Sequence, residues 1–366
     1  MSTSEKPLVS MILPVLNGEK YIRQCLGAVL AQSEQNFELV IIDDGSTDST
    51  LSEVSNFEFL ISKQYPDLQL QVIKNKERLA PWGNFERACR ASQAKYCVLL
   101  SVDVVIDKDF IKNAVEIMEQ DDNIGCLQTK ILQYTLSELS ANGYPLTAKL
   151  IDTVGFGIFK SRRVVNLGHG QVDSGQFNEQ KEIFAVEGAV PFYRREAFLD
   201  CAISSTTNYK PQTINSSEIV DHDMFWYGDD IDLGWRMNLF GWKQIFTPTV
   251  IAYHDRSTTK GMSYHWWDYL ARIKARRQIR IDKRRLDWRN KRLARVKNEQ
   301  WPNVWRHLPQ ILLRELSELG YILLVEPSVL LEIPKLIALI PKMLAKRRLI
   351  MAKAKRSPKE IRKWFI

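Results

Sequence analysis

Short β-rich apolar runs alternate with amphipathic stretches over the first 130 residues. Leu8–Leu16 is one such run, and it ends in the turn pair Asn17-Gly18. Tyr21, Ile22, Leu26, Val29 and Leu30 then recur at helical spacing. Phe37–Ile42 is a second apolar run, closed by Asp43-Asp44-Gly45-Ser46. Thr47-Asp48-Ser49 supplies caps for a helix containing Leu51, Val54, Phe57 and Leu60. Leu68–Ile73, Tyr96–Leu100 and Ile124–Thr129 read as further strands, with helices over Phe85–Ala94 and Asp109–Met118. Strands alternating with helices of this length predict βαβ units and a mostly parallel, doubly wound sheet. Ligands of such sheets bind beyond the carboxyl ends of the strands. Asp43, Asp44 and Asp103 all sit at such ends.

Residues 145–185 are Gly-rich and show no helix pattern. Val186–Tyr193 is apolar, Arg195–Cys201 reads as helix, and Ser204 to Asp223 reads as a polar loop. Asp230–Gly241 reads as a helix with Leu233, Met237 and Phe240 inward and Gly241 ending it. Gln244–His254 reads as a strand, and beyond residue 262 the pattern is helical and basic. No internal repeat is present.

The chain has 366 residues, 45% hydrophobic and 26% charged, which excludes disordered and fibrous classes. Its five cysteines are odd in number and lack C-x-x-C spacing, which argues against a disulfide framework and a Cys-ligated zinc. No signal-peptide pattern opens the sequence, and no stretch reaches 18 uncharged apolar residues, so a spanning helix is not expected. The net charge of +8 hides an asymmetry. Residues 270–366 hold 26 Lys and Arg against 8 Asp and Glu; the residues before them hold 25 against 35. An acidic body thus carries a basic tail that should seek an anionic partner. Trp266, Trp267, Trp288, Trp301 and Trp305 lie among the tail's cations, and short apolar clusters broken by prolines follow. Aromatics and cations beside short apolar helices suit a bilayer interface. Packing on the body is the plainer alternative, and nucleic acid is the third.

Each candidate side chain has a bland reading beside the chemical one. The Asp43-Asp44 pair can bind a base and ribose, or cap a helix. Asp103, after Val98-Leu99-Leu100-Ser101-Val102, can be a metal-binding carboxylate or a turn aspartate. Asp229, Asp230 and Asp232 crowd a helix start, where the macrodipole favours acids anyway. Asp230 and Asp232 cannot both face the same way, so one at most serves as a general base. His254 is either a strand-end histidine or a metal ligand.

Taken in order, the four segments Val9–Gly18, Ile41–Thr50, Leu99–Val105 and Tyr227–Leu233, closed by His254, resemble glycosyltransferase family 2, the inverting GT-A nucleotide-sugar transferases. The resemblance implies an α/β GT-A fold, Rossmann-like, with a C-terminal helical extension. It implies a catalytic domain over 1–260, with a nucleotide-binding half at 1–130 and an acceptor half at 131–260, and a basic helical tail over 261–366. The roles it implies are Asp230, with Asp229 beside it, as catalytic base; Pro14, Asn17, Asp43, Asp44, Arg78 and Asp103 on the donor nucleotide; Gly188, Ala189 and Trp226 at the acceptor; and Asp103 with His254 on a divalent cation, Mg²⁺ or Mn²⁺. Two departures stand out: Ser101 replaces the first acid of the family's D-x-D, and Arg78–Asn84 replaces a Gly-rich loop. Softer matches at Asp152–Gly157, Gly168–Phe177, Glu187–Ala189 with Tyr193–Ala197, and the C-terminal segment resemble the rhamnosyltransferase-type members that build bacterial surface polysaccharides. They imply dTDP-L-rhamnose as donor and a saccharide, free or lipid-linked, as acceptor. They also imply a peripheral protein at the cytoplasmic face of the inner membrane, on an anionic surface. No nucleic-acid partner is expected, and a homo-oligomer is compatible. The rival readings are the same fold with a UDP-hexose or UDP-galactofuranose donor, and a catalytically silent membrane-bound scaffold. Acids at both Asp103 and Asp230 argue against the scaffold.

Overall fold

The computed structural model describes residues 6–140, 143–145, 148–204, 217–256 and 269–366. The expected boundary near residue 260, Trp266 and Trp267, and most of the polar 204–223 loop lie outside the described residues. Strands β1 (Val9–Val15), β2 (Phe37–Asp43), β3 (Gln69–Lys74) and β4 (Tyr96–Leu99) alternate with helices α1 (Ile22–Leu30), α2 (Thr50–Gln64) and α3 (Ala80–Ala91). Then come β5 (Val104–Ile106), α4 (Phe110–Met118), β6 (Ile124–Gln133), β7 (Ile151–Thr153), β8 (Phe156–Ile158), β9 (Val164–Asn166), β10 (Lys181–Glu182) and β11 (Phe192–Arg194). Helix α5 (Arg195–Asp200), β12 (Ile203–Ser204), β13 (Ser217–Glu218), α6 (Asp229–Leu239) and β14 (Lys243–His254) complete the body.

Ten strands form one mixed sheet in the order β10-β14-β6-β11-β4-β1-β2-β3, with β5 added to β14 and β7 to β6. The β3-β2-β1-β4 block is parallel, as the alternating pattern predicts. Beyond it the sheet departs from that pattern. Strand β11 runs antiparallel between β4 and β6 before the parallel β6–β14 pair resumes. With only three residues, β11 carries no periodicity of its own. Helices cover both faces, so alternate residues of β1 join different cores: Met11 and Leu13 in one, Ile12 in the other. Strands buried on both faces read as continuous apolar runs for this reason. Helix α3 begins at Ala80, ahead of the expected Phe85, because Pro81 suits a first turn and Asp44 accepts from the Leu79 and Ala80 N–H groups.

The C-terminal region is helical, comprising α7 (Tyr269–Gln278), α8 (Ile281–Asn298), α9 (Trp301–Arg306), α10 (Leu308–Val325), α11 (Ile333–Lys353) and α12 (Pro358–Arg362). Helix α8 packs against both α11 and α6. Much of the basic charge turns inward. Lys297 is buried, with Nζ 2.7 Å from both Asp221 and Asp232. Lys346 is buried and reaches Asp221 at 2.6 Å and Asp223 at 2.9 Å. Arg292 and Arg295 pair with Glu315, and Arg276 and Arg284 with Glu326. The anionic partner expected of the tail is therefore, in part, the acidic body itself. What stays outside mixes remaining cations with apolar side chains. Trp305 (69% exposed), Leu313 (70%) and Leu324 (87%) share the surface with Trp301, Leu316 and Leu331. No helix among the described residues is long and apolar enough to cross a membrane. Phe365 bridges to Ile158 in parallel and lies under the Arg162 guanidinium at 3.9 Å, which seats this segment on β8.

Candidate active site

The carboxyl ends of β1 and β2 carry the first group of candidates. Asn17 adopts a left-handed φ of 52°, its N–H donates to Ser46 Oγ (2.9 Å), and its Oδ1 accepts from the Thr47 N–H (2.8 Å). Pro14 is buried in β1 opposite Ile42. Both acids after β2 accept donors from the chain. Asp43 Oδ1 takes the Ser46 N–H at 3.1 Å. Asp44 accepts from Asn75 Nδ2 (2.8 Å), Leu79 N–H (3.0 Å) and Ala80 N–H (3.1 Å). The capping role weighed for this pair is thus present at Asp44, but on α3 rather than α2. Arg78, half-exposed, brings Nε within 3.9 Å of Asp44.

The second group lies where β14 meets β5. In the antiparallel register His254 opposes Val104, the neighbour of Asp103. His254 Nε2 is 3.4 Å from Asp103 Oδ2, and His254 Nδ1 is 2.9 Å from Asp152 Oδ2. Burial alone would lower the His254 pKa, but hydrogen bonds to Asp103 and Asp152 outweigh it and raise the pKa to about 9. Burial opposes ionisation of Asp103 and Asp152, yet their imidazole partners hold both below the usual carboxylate range. Arg256 completes the set, 3.1 Å from Asp152 and paired with Glu187.

These residues fit a divalent cation. An oxygen and an imidazole nitrogen 3.4 Å apart lie near the roughly 3 Å ligand edge of an octahedron with ~2.1 Å bonds. Asp152 on Nδ1 fixes the ring and turns Nε2 toward Asp103, as a second-shell carboxylate does at metal sites. Among the described residues no set of three or more His, Cys, Asp or Glu side chains forms a metal cage, so a cation there needs oxygens from a ligand.

The third group begins α6. Three residues ahead of it have left-handed φ values: Phe225 (65°), Tyr227 (69°) and Gly228 (87°). Backbone strain of this kind clusters at functional sites. Asp230 accepts from the Ile231 N–H at 2.8 Å and from the Gly188 N–H. Burial, then the Glu187 charge, raises its pKa to about 7. Asp229 is buried and its Oδ2 has no hydrogen-bond partner among the described residues. Burial and the neighbouring Asp230 push its pKa to about 8. Asp232 faces away, bound to Arg236, Lys297 and Asn298. A Cβ on Gly188 would sit 3.1 Å from Trp82 Cζ2 and 3.4 Å from Asp230 Oδ2, so only glycine leaves both where they are.

Asp103, His254, Gly188, Ala189 and Asp230 are thereby brought together. The links run from Asp103 through His254, Asp152 and Arg256 to Glu187, whose backbone leads into Gly188. Glu187 Oε2 accepts from the Ala189 N–H (2.9 Å), and the Ala189 carbonyl accepts from the Ser101 N–H (2.9 Å). Asp44 joins through α3, which carries Trp82 onto Gly188. Trp226, on the turn ahead of α6, packs against Tyr227 with ring centroids 4.7 Å apart and has Lys283 over its ring at 4.8 Å. Asp152 and Arg256 were not legible as site residues, since each acts through partners far along the chain.

Residues 10–145 match the model of Glycosyl transferase family 2. An "Uncharacterized glycosyltransferase" of Haemophilus influenzae is 30% identical over 118 residues, 32% of this chain and 35% of the relative. A glycosyltransferase of Bacillus subtilis, TuaG, whose name assigns it provisionally to teichuronic acid biosynthesis, is 31% identical over 116 residues, 32% of this chain and 44% of the relative. The chain thus spans less than half the length of either. The structure titled GalNAc-T7 with UDP, GalNAc and Mn²⁺ superposes with a TM-score of 0.49 at 15% identity, over 67% of this chain and 42% of that one.

Proposed function

We propose that the protein, whose residues 10–145 match the Glycosyl transferase family 2 model, transfers a sugar from a nucleotide-sugar donor to a saccharide acceptor in polysaccharide synthesis, with inversion at the anomeric carbon. The observation that carries this reading is the convergence of the Asp103–His254 pair and the half-buried Asp230 in one polar cluster near the carboxyl ends of the strands. Asp230 takes the proton from the attacking acceptor hydroxyl. A single displacement needs only that one carboxylate, since no covalent intermediate forms. Asp103 and His254 would hold a Mg²⁺ or Mn²⁺ ion, which when bound would offset charge on the departing diphosphate. Asp152 fixes the imidazole, and Glu187 keeps Asp230 basic. Asn17, Asp43, Asp44 and Arg78 surround the nucleotide, and Gly188, Ala189 and Trp226 face the acceptor. The donor is dTDP-L-rhamnose, on the strength of the rhamnosyltransferase-like segments.

A panel of dTDP- and UDP-sugars, assayed with and without EDTA, tests this. Transfer from dTDP-L-rhamnose, lost in EDTA and restored by Mn²⁺ or Mg²⁺, is expected. No turnover of any donor sinks the enzymatic reading, and full activity in EDTA removes the cation.

The base must be ionised to act, and its pKa is raised to about 7. Turnover should therefore fall about tenfold per pH unit below ~7 and level off above it. A profile of kcat between pH 5 and 9 checks this; a limb centred near pH 4 would mean that Asp230 is solvated or is not the base.

The same proposal places the protein at the cytoplasmic face of a membrane as a peripheral protein, with lipid-linked saccharide as the acceptor. Supporting it are the exposed leucines of α10, the exposed Trp301, Trp305 and Arg306 of the preceding α9, and exposed tail cations such as Lys335 and Arg348. Flotation with anionic liposomes is expected, weaker with neutral lipid. Absence of flotation at every lipid charge rejects it.

A further inference from the structure

Helix α8 meets the turn before α6 at a buried amide. Asn290 is fully buried, and the two N–H groups of its Nδ2 are shared among the carbonyls of Met224 (2.9 Å), Trp226 (2.7 Å) and Tyr227 (2.8 Å). Its Oδ1 accepts from Arg289 Nε (3.0 Å), which fixes the amide's orientation, and Arg289 is itself anchored on Glu332 at 3.0 Å. The three carbonyls belong to the turn in which Phe225, Tyr227 and Gly228 hold left-handed φ values. Such residues persist only where their surroundings over-determine them. A Cβ on Gly228 would lie 3.4 Å from Asn290 Cβ, so turn and helix are in direct contact. Asp229 and Asp230 follow the turn immediately. Asn290 is thus one of several α8 side chains at the start of α6, beside Lys297 and Asn298 on Asp232, and it is the one that gathers the carbonyls of the turn.

We propose that Asn290 is a positioning residue for transfer: by gathering the Met224, Trp226 and Tyr227 carbonyls it fixes the strained turn that aims Asp230 at the acceptor. This rests on Asp230 being the base. The groups facing Asp230 are Glu187, Asp229, Tyr193, Tyr227 and Lys291, together with the Gly188 and Ile231 N–H groups. Tyr227 and Asp229 move with the turn when it relaxes.

The test uses the full chain. Asn290→Ala should lower kcat about 10- to 100-fold with donor KM and donor affinity unchanged, the cost of a base displaced by about 1 Å. The pH midpoint of kcat should drop below the wild-type value as Asp230 gains solvent. Adding Phe225→Gly, which removes the steric cost of a left-handed φ at an exposed position, should restore part of kcat. A purely structural role would lower Tm but leave kcat per donor-binding site and the pH midpoint alone. That outcome, with Asp230→Asn inactive in parallel, overturns the proposal while sparing the base assignment. Turnover by Asp230→Asn above about a tenth of the wild-type rate overturns the base and the proposal together. If Asn290→Ala does not fold, Asn290→Ser, which keeps one donor, is measured by the same criteria.

Discussion

Replacing Asp230 by asparagine should leave the donor bound and reduce transfer by about 10²–10⁴-fold, the usual worth of a positioned base. Asparagine matches the carboxylate in size, and its carbonyl can still accept from the Ile231 and Gly188 N–H groups, so α6 and the Gly188 segment keep their places. What goes is the proton acceptor. The donor's contacts in our reading lie at Asp43, Asp44, Arg78 and Asp103, on other strand ends. Donor affinity by calorimetry and product by chromatography separate the two effects. A variant that transfers at more than about a tenth of the wild-type rate would take Asp230 out of the mechanism.

Lys297→Met should cost about 3–5 kcal/mol of stability, because it strips the shared cation from two buried carboxylates. Lys297 Nζ lies 2.7 Å from Asp221 and 2.7 Å from Asp232, and all three side chains are at most 1% exposed. Burial opposes ionisation of Asp221, but Lys297 and Lys346 hold its pKa far below the usual range. With Lys297 gone, Asp221 keeps Lys346 and the Asp223 N–H, and Asp232 falls back on Arg236 and Asn298. Urea denaturation reads the loss as a lower midpoint at unchanged slope. Adding Asp221→Asn should return part of it, a coupling that a double-mutant cycle isolates. The exposed Lys95–Glu119 pair sets the contrast, since breaking such a surface pair changes stability by at most about 1 kcal/mol. A Lys297→Met loss of that small size would mean that water reaches the cluster.

How much of this could be read beforehand depends on the range of the interaction. The β3-β2-β1-β4 block follows from local periodicity, and it puts Asn17, Asp43, Asp44 and Asp103 at strand ends. The helix opening at Asp229 and the divergence of Asp230 from Asp232 follow from helical geometry. Strand β11 and the long-range partners do not. Asp152 meets His254 across 102 positions, and neither residue's neighbours carry a sign of the other. The same gap explains the tail. A run of cations reads as surface unless its partners are known, and those of Lys297 and Lys346 lie 76 and 125 positions earlier, at Asp221. The uncharged face of α10 was visible as leucines; only the fold shows that it points outward.

The seating of Phe365 on Ile158 bears on how the chain is made. Ribosomal synthesis is vectorial, so β8 and Arg162 emerge long before the ring that covers them. Meanwhile the nascent body holds Asp221 and Asp232 without their lysines and leaves an apolar seam bare. A half-made chain in that state is sticky, and domains of this size meet chaperones for that reason. Expression of residues 1–260 alone would freeze the intermediate in place, and inclusion bodies are the natural fate of such a fragment.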